Sequence, residues 1–166
     1  MKIILAVDKN FAIGKDNKLL FHIKKDLKHF KDTTLNSIVI MGRKTYESMG
    51  GALKNRTNVI LSRNEDYKAN DCLIFNNYKD ILNFVEKNND KNAFIIGGNE
   101  IVNIFLPYCD EAIITKVDAQ KDADVYLHNF DEDDAFYLYN KSEVFSENGL
   151  DFTYNTYRRK KWKNYL

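Results

Sequence analysis

Short β-branched runs alternating with amphipathic stretches predict an α/β fold: a mixed, mostly parallel sheet of eight strands with about four flanking helices. Nearly unbroken apolar runs occur at Ile3–Val7, Ser37–Met41, Thr57–Leu61, Leu73–Phe75, Ala93–Ile96 and Ala112–Val117, and such runs suit strands buried on both faces. Helical stretches lie between them at Lys25–Thr34, Lys44–Met49, Lys79–Asn88 and Asn99–Leu106, so crossover connections and parallel pairing follow. Near the end, Phe136–Phe145 and Asp151–Arg158 flank the turn cluster Ser146-Glu147-Asn148-Gly149, which predicts a hairpin and an antiparallel edge.

Taken in order, the first strand leads into Ala12-Ile13-Gly14-Lys15-Asp16-Asn17-Lys18-Leu19, a polar loop bounded by apolar residues and suited to a lid or an ordinary surface loop. In the next stretch, at roughly 100° per residue, Asp26, Leu27, Phe30 and Thr34 share one arc while the lysines mostly point elsewhere. A carboxylate on that face is costly unless paired or used. It can hold a proton near neutral pH, grip ligand N–H groups, or stabilise the first turn of the helix from a half-exposed position. The run Ser37–Met41 ends in Gly42-Arg43-Lys44-Thr45 at a helix start. Free backbone N–H groups and two cations form an anion site there, and cations at a helix N-terminus oppose the dipole unless an anion compensates. Ala93–Ile96 meets Gly97-Gly98-Asn99-Glu100-Ile101, where adjacent glycines allow close approach of a flat ligand or a diphosphate. The GxGxxG fingerprint is absent, so the usual dinucleotide fold is not supported.

The 166 residues fit a single domain, 1–166, with a basic tail at 158–166. A net charge of +1 provides no field for nucleic acid or a membrane surface. Cys72 and Cys109 are too few for a disulfide scaffold and are expected as lone buried thiols. The opening apolar run meets Asp8 too early for a signal peptide, and no run approaches a membrane span, so a cytoplasmic protein is expected. No strongly apolar exposed stripe stands out, which favours a monomer.

In order and spacing, these pieces resemble dihydrofolate reductase over nearly the whole chain. The matching stretches are Ala6, Ile13-Gly14, Leu19, Asp26-Leu27, Phe30, Thr34, Val39 to Ser48, Arg56 to Ser62, Ile96-Gly97-Gly98 and Thr115. The resemblance implies that family's single-domain fold and the NADPH-dependent reduction of dihydrofolate to tetrahydrofolate. That reaction feeds one-carbon metabolism and thymidylate synthesis, and its enzyme is an antifolate target. It implies Asp26 as the catalytic acid, hydrogen-bonded to the pteridine with Thr115 assisting. Ile4, Leu5, Ala6, Leu27, Phe30 and Met49 would line the substrate slot, and Arg56 would grip the glutamate carboxylate. Gly42, Arg43, Lys44 and Thr45, with Gly98, Asn99, Glu100 and Ile101, would bind cofactor phosphates. Arg43, Ser62 and Arg63 would hold the 2′-phosphate, and Leu61, Ile96 and Gly97 complete that side. Ala6, Ile13, Gly14 and Leu19 would meet the nicotinamide beneath a lid from Ile13 to Phe21, and the double glycine would carry the family's cis peptide. No metal is implied.

Competing readings are a reductase of the same fold acting in riboflavin synthesis, which Asp26 and Arg56 oppose, and a folate- or nucleotide-binding module without activity. Two positions depart from the family's pattern. Leu20-Phe21 stands where relatives carry Pro-Trp, so an indole N–H near the acid is lost. Val102 stands where relatives usually carry an aromatic, at the expected cofactor–substrate junction. Phe21→Trp is expected to change steady-state turnover; an unchanged rate would show that the missing N–H has no role.

Overall fold

The computed structural model describes residues 1–161. The elements are β1 (Lys2–Val7), β2 (Ala12–Lys15), β3 (Lys18–Leu19), α1 (Lys24–Thr34), β4 (Ile38–Gly42), α2 (Arg43–Met49), β5 (Thr57–Leu61), β6 (Cys72–Phe75), α3 (Tyr78–Lys87), β7 (Ala93–Gly97), α4 (Asn99–Phe105), β8 (Glu111–Val117), β9 (Val125–Tyr126), β10 (Phe136–Lys141), β11 (Phe145–Glu147) and β12 (Leu150–Arg159). The main sheet runs β10-β12-β8-β1-β7-β4-β5-β6, with β11 also paired to β12. From β8 to β6 every pairing is parallel, and β12 and β10 add the antiparallel edge. This is the predicted mixed sheet with four α-helices.

The unbroken apolar runs are explained by the two faces of the sheet. Successive side chains alternate sides along a strand. Ile3, Ile38, Ile40, Val59 and Ile95 point into a core with Ile81 of α3 and Ile101, Val102 and Phe105 of α4. Their neighbours Ile4, Val39, Met41, Ile60, Phe94 and Ile96 point the other way, toward Phe30 of α1 and Tyr46 and Met49 of α2. Each such fully buried side chain contributes about 1.5–3 kcal/mol of transfer free energy. Helices on both faces are thus required by the composition of the strands.

Several expectations are corrected. The predicted strand Phe136–Phe145 is two pieces: β10 pairs with the end of β12 across an irregularity between Leu138 and Asn140, and β11 pairs with its start. The interruption at Ser142, Glu143 and Val144 keeps one long strand, β12, bonded along its length. The loop at 12–19 folds instead into β2 and β3, which form a small antiparallel sheet with β9. Strands of two to four residues leave no period to read. The basic tail does not begin at 158: Arg158 and Arg159 belong to β12. The Arg158 Nε donates to Glu111 at 3.1 Å, and the Arg159 guanidinium donates to the carbonyls of Cys109 and Leu106 at 2.9 and 2.6 Å. The remainder of that tail, from Trp162, lies outside the described residues. Cys109 is buried, and burial pushes its thiol up to about 12. Cys72 is only partly buried.

Asp8 is a carboxylate in the core, 1% exposed. It accepts the backbone N–H groups of Asn10 at 2.8 Å, Ala12 at 3.0 Å and Lys121 at 3.1 Å. It thereby knots the β1–β2 turn to the segment after β8, satisfying donors that would otherwise be buried unpaired. Asp8→Ala should cost about 3 kcal/mol of stability, read as a lower denaturation midpoint in urea.

Candidate active site

One row of side chains sets the site's geometry. In the sheet register, Ala6 on β1 lies beside Thr115 on β8, and Thr115 lies beside Tyr154 on β12. Directly paired residues face the same side of a sheet. Helix α1 lies over this row. The Thr115 hydroxyl donates to Asp26 Oδ1 at 2.6 Å, and His29, one turn along, packs its ring on Tyr154 with centroids 4.0 Å apart.

Burial raises the Asp26 carboxyl above the ordinary carboxylate range, against the opposing pull of the Thr115 hydrogen bond and of His29. Burial also lowers His29, whose Nε2 is buried without a hydrogen-bond partner among the described residues. The arc Asp26, Leu27, Phe30 and Thr34 faces inward as predicted, but only Thr34 is fully buried. Leu27 remains 38% exposed because that face borders an open cavity and not packed side chains.

The cavity, about 1790 Å³, follows the ends of the parallel strands, where the loops of an α/β sheet converge. Every site residue predicted from sequence lines it. Strand β1 contributes Ile4, Leu5 and Ala6; the small sheet contributes Ile13, Gly14 and Leu19; α1 contributes Asp26, Leu27 and Phe30. Thr115 stands behind Asp26, and Met49 and Arg56 lie toward the outer end of α1's face. Gly42, Arg43, Lys44 and Thr45 come from the β4–α2 junction, Leu61, Ser62 and Arg63 from the end of β5, and Ile96 to Ile101 from the β7–α4 junction.

Local structure holds these groups in place. The Gly97–Gly98 peptide is cis, as the resemblance implied, and Gly97 sits at φ +130°, a conformation side chains rarely adopt. A Cβ on Gly42 would lie 3.1 Å from Ile101, so glycine there lets the β4–α2 turn close on α4. Arg56 is tied by Nε to the Lys54 carbonyl at 2.8 Å and by Nη1 to Thr34 Oγ1 at 3.2 Å. On the opposite side Arg43 pairs with Glu47 at 3.3 Å and Arg63 with Glu100 at 3.5 Å, all on exposed side chains. The Glu100 carboxylate therefore partly offsets the cation it was expected to assist. Asn99 Oδ1 is buried without a donor among the described residues.

Several lining residues escaped the sequence, His29 and the β6–α3 junction foremost. His29 lines the cavity and was visible as a titratable group three residues after Asp26. Asn76, Asn77 and Tyr78 line it from the β6–α3 junction, which lacks glycine; the available signal was Asn77 as N-cap, its side chain accepting from Lys79 N at 2.9 Å. Val102 departs from expectation in the other direction. It is fully buried in the core and does not line the cavity.

The dihydrofolate reductase family model matches residues 1–159. The chain is similar to dihydrofolate reductase of Bacillus subtilis (strain 168), 36% identical over 129 residues, covering 78% of this chain and 76% of the relative. It is similar to that of Ureaplasma parvum, 34% identical over 174 residues, covering 98% and 99%. Its fold is similar to dihydrofolate reductase from Enterococcus faecalis complexed with NADP(H) and RAB-propyl, with a TM-score of 0.88 and 29% identity over 96% of each chain. With the acid, the glycine junctions and the cations gathered on one cavity, this chain belongs to the dihydrofolate reductase family.

Proposed function

We propose that the chain reduces dihydrofolate to tetrahydrofolate with NADPH, and that Asp26 governs the protonation step. The observation that carries this is the Asp26–Thr115 pair, held at 2.6 Å on the wall of the cavity that also receives both glycine-bearing strand ends.

The residues fit the cofactor. Arg43, Lys44, Ser62 and Arg63 form a donor set suited to phosphate, Arg43 and Arg63 being the bidentate donors. The unpartnered Asn99 amide oxygen would take a hydroxyl or amide hydrogen. Thr45 and Gly97, whose missing Cβ would stand 3.5 Å from Thr45 Oγ1, leave room for backbone approach. When bound, NADPH supplies the hydride.

On the substrate side, Asp26 would accept from the pteridine's amino group and ring N–H, with Thr115 orienting it. Ile4, Leu5, Ala6, Leu27, Phe30 and Met49 form the apolar walls that exclude water, and Arg56 would pair with the glutamate carboxylate. Because burial penalises its anion, Asp26 takes up a proton further up the pH scale; that proton would pass to the ring nitrogen beside the carbon that accepts hydride, leaving Asp26 as the carboxylate that accepts the ligand's N–H groups. The protein's contribution is position, a dry pocket and this proton.

The same reading has the chain acting as a cytoplasmic monomer on small molecules, without nucleic acid or membrane. No helix among the described residues is long and apolar enough to cross a membrane. Edge strand β10 exposes Tyr137, Leu138 and Tyr139, but its ladder is irregular at Tyr139, and Arg158 stacks 3.4 Å from the Tyr139 ring centroid. Irregular ladders and charge oppose edge pairing.

Mixing protein, NADPH and dihydrofolate should give steady decay of the nicotinamide absorbance; binding without decay would reject the reaction. Asp26→Asn should cut turnover at neutral pH by roughly 10²–10⁴-fold while leaving NADPH affinity intact, and near-normal turnover would remove Asp26 from its role. The variant also tests the environment of the acid. A carboxyl raised in the folded state contributes stability below its unfolded pKa and loses it as pH rises through the folded value. Asp26→Asn should therefore melt higher than the parent at mildly alkaline pH, with the difference shrinking in acid.

A further inference from the structure

Helix α1 starts without a cap of its own. Its N-cap residue is Ile23, which makes no side-chain hydrogen bond to the first turn. Ile23 is instead 3% exposed and packs with Val117 and Phe152 in a small core that anchors the helix entry to the sheet. An apolar anchor at this position leaves the first-turn N–H groups unsatisfied by local chemistry.

A residue more than a hundred positions away satisfies two of them. Glu147, the last residue of β11, accepts the backbone N–H of Lys24 through Oε2 at 2.6 Å and that of Lys25 through Oε1 at 3.1 Å. The same hairpin accepts Lys25 Nζ on the Ser146 carbonyl at 3.2 Å and is braced by a Ser146–Asp151 hydrogen bond. Asp26 is the third residue of α1, inside the turn where the positive end of a helix stabilises an anion.

We propose that Glu147 is a positioning residue for the reaction: it caps α1 in place of Ile23, and its negative charge shields Asp26 from the positive end of the helix. This rests on the reading of Asp26 as the proton-bearing group. The titratable and charged groups facing Asp26 are His29 on α1 and Tyr154 on β12, while β8 presents the Thr115 hydroxyl. Lys24 and Lys25 are exposed, and the Lys25 ammonium bonds the Ser146 carbonyl of the same hairpin. Without the carboxylate, the positive end of the helix favours ionised Asp26, so the acid surrenders its proton at lower pH.

The test is the pH profile of turnover for Glu147→Gln, an isosteric substitution of a half-buried hairpin residue that lies outside the hydrophobic core. The falling limb at high pH should move down by about half a pH unit, a roughly threefold loss of rate on that limb, with NADPH affinity unchanged. Ser146→Ala, which loosens the same hairpin without altering charge, should lower the melting temperature and leave the limb in place. A Glu147→Gln profile superimposable on the parent overturns the proposal, and so does an equal shift in Ser146→Ala. Asp26→Asn run alongside separates the two levels. If it keeps the falling limb, the assignment of Asp26 fails; if it abolishes the limb while Glu147→Gln leaves it unmoved, only the role of Glu147 fails.

Discussion

The hydrogen bond from Thr115 to Asp26 joins the central sheet to the helix that forms one wall of the cavity. Its worth in stability is about 1–3 kcal/mol, modest beside the apolar core, yet the site's geometry depends on it. Thr115 can make it because β8 lies between β1 and β12, with Ala6 and Tyr154 as its lateral neighbours. Asp26 can receive it because Ile23 pins the start of α1 and Phe30 pins its middle, on two different hydrophobic clusters. An acid is thereby held partly out of water with one specific donor, which raises its proton affinity without leaving it wholly unpaired.

The other half of the cavity follows from parallel pairing. Strands that all end on the same side deliver their C-terminal loops to one edge, so Gly42, Ser62, Gly97 and Gly98 meet although they are far apart in sequence. The two glycine junctions are also mutually fitted, since Gly42 makes room for Ile101 and Gly97 approaches Thr45. The proposed binding surface and the packing thus fall on the same atoms.

The β2–β3 hairpin over this edge is anchored in the core by Ala12 and Ile13, while its outer end is held by polar contacts. Asp124 accepts Asp16 N at 3.0 Å, Lys15 pairs with Asp122 at 2.9 Å, and Lys121 donates to the Leu20 carbonyl at 2.9 Å while lying 4.9 Å from the Phe21 ring centroid. Exposed contacts of this kind are weak individually and screened by salt, in contrast to the buried Asp8 knot at the hairpin's root. Phe21 is therefore supported by a cation on its face, an environment specific to this chain's residues at that point.

By itself the sequence determined the layered α/β class, through apolar runs too continuous for a half-solvated strand, and it marked candidate groups, glycines at strand ends and one acid on an inward helical face, whose roles came only from the family resemblance. These are local patterns, readable because each is imposed by backbone geometry within a few residues. The tertiary structure alone decided the rest. The β2–β3–β9 sheet consists of strands too short to show a period, and the outer edge of β12 pairs with two separate strands, β10 and β11, on either side of an interruption. Val102 lies in the core and off the cavity, a placement set by how α4 packs on the sheet. The cap of α1 comes from Glu147, more than a hundred residues from the helix it serves, since an orphaned N–H accepts any acceptor that folding brings within about 3 Å.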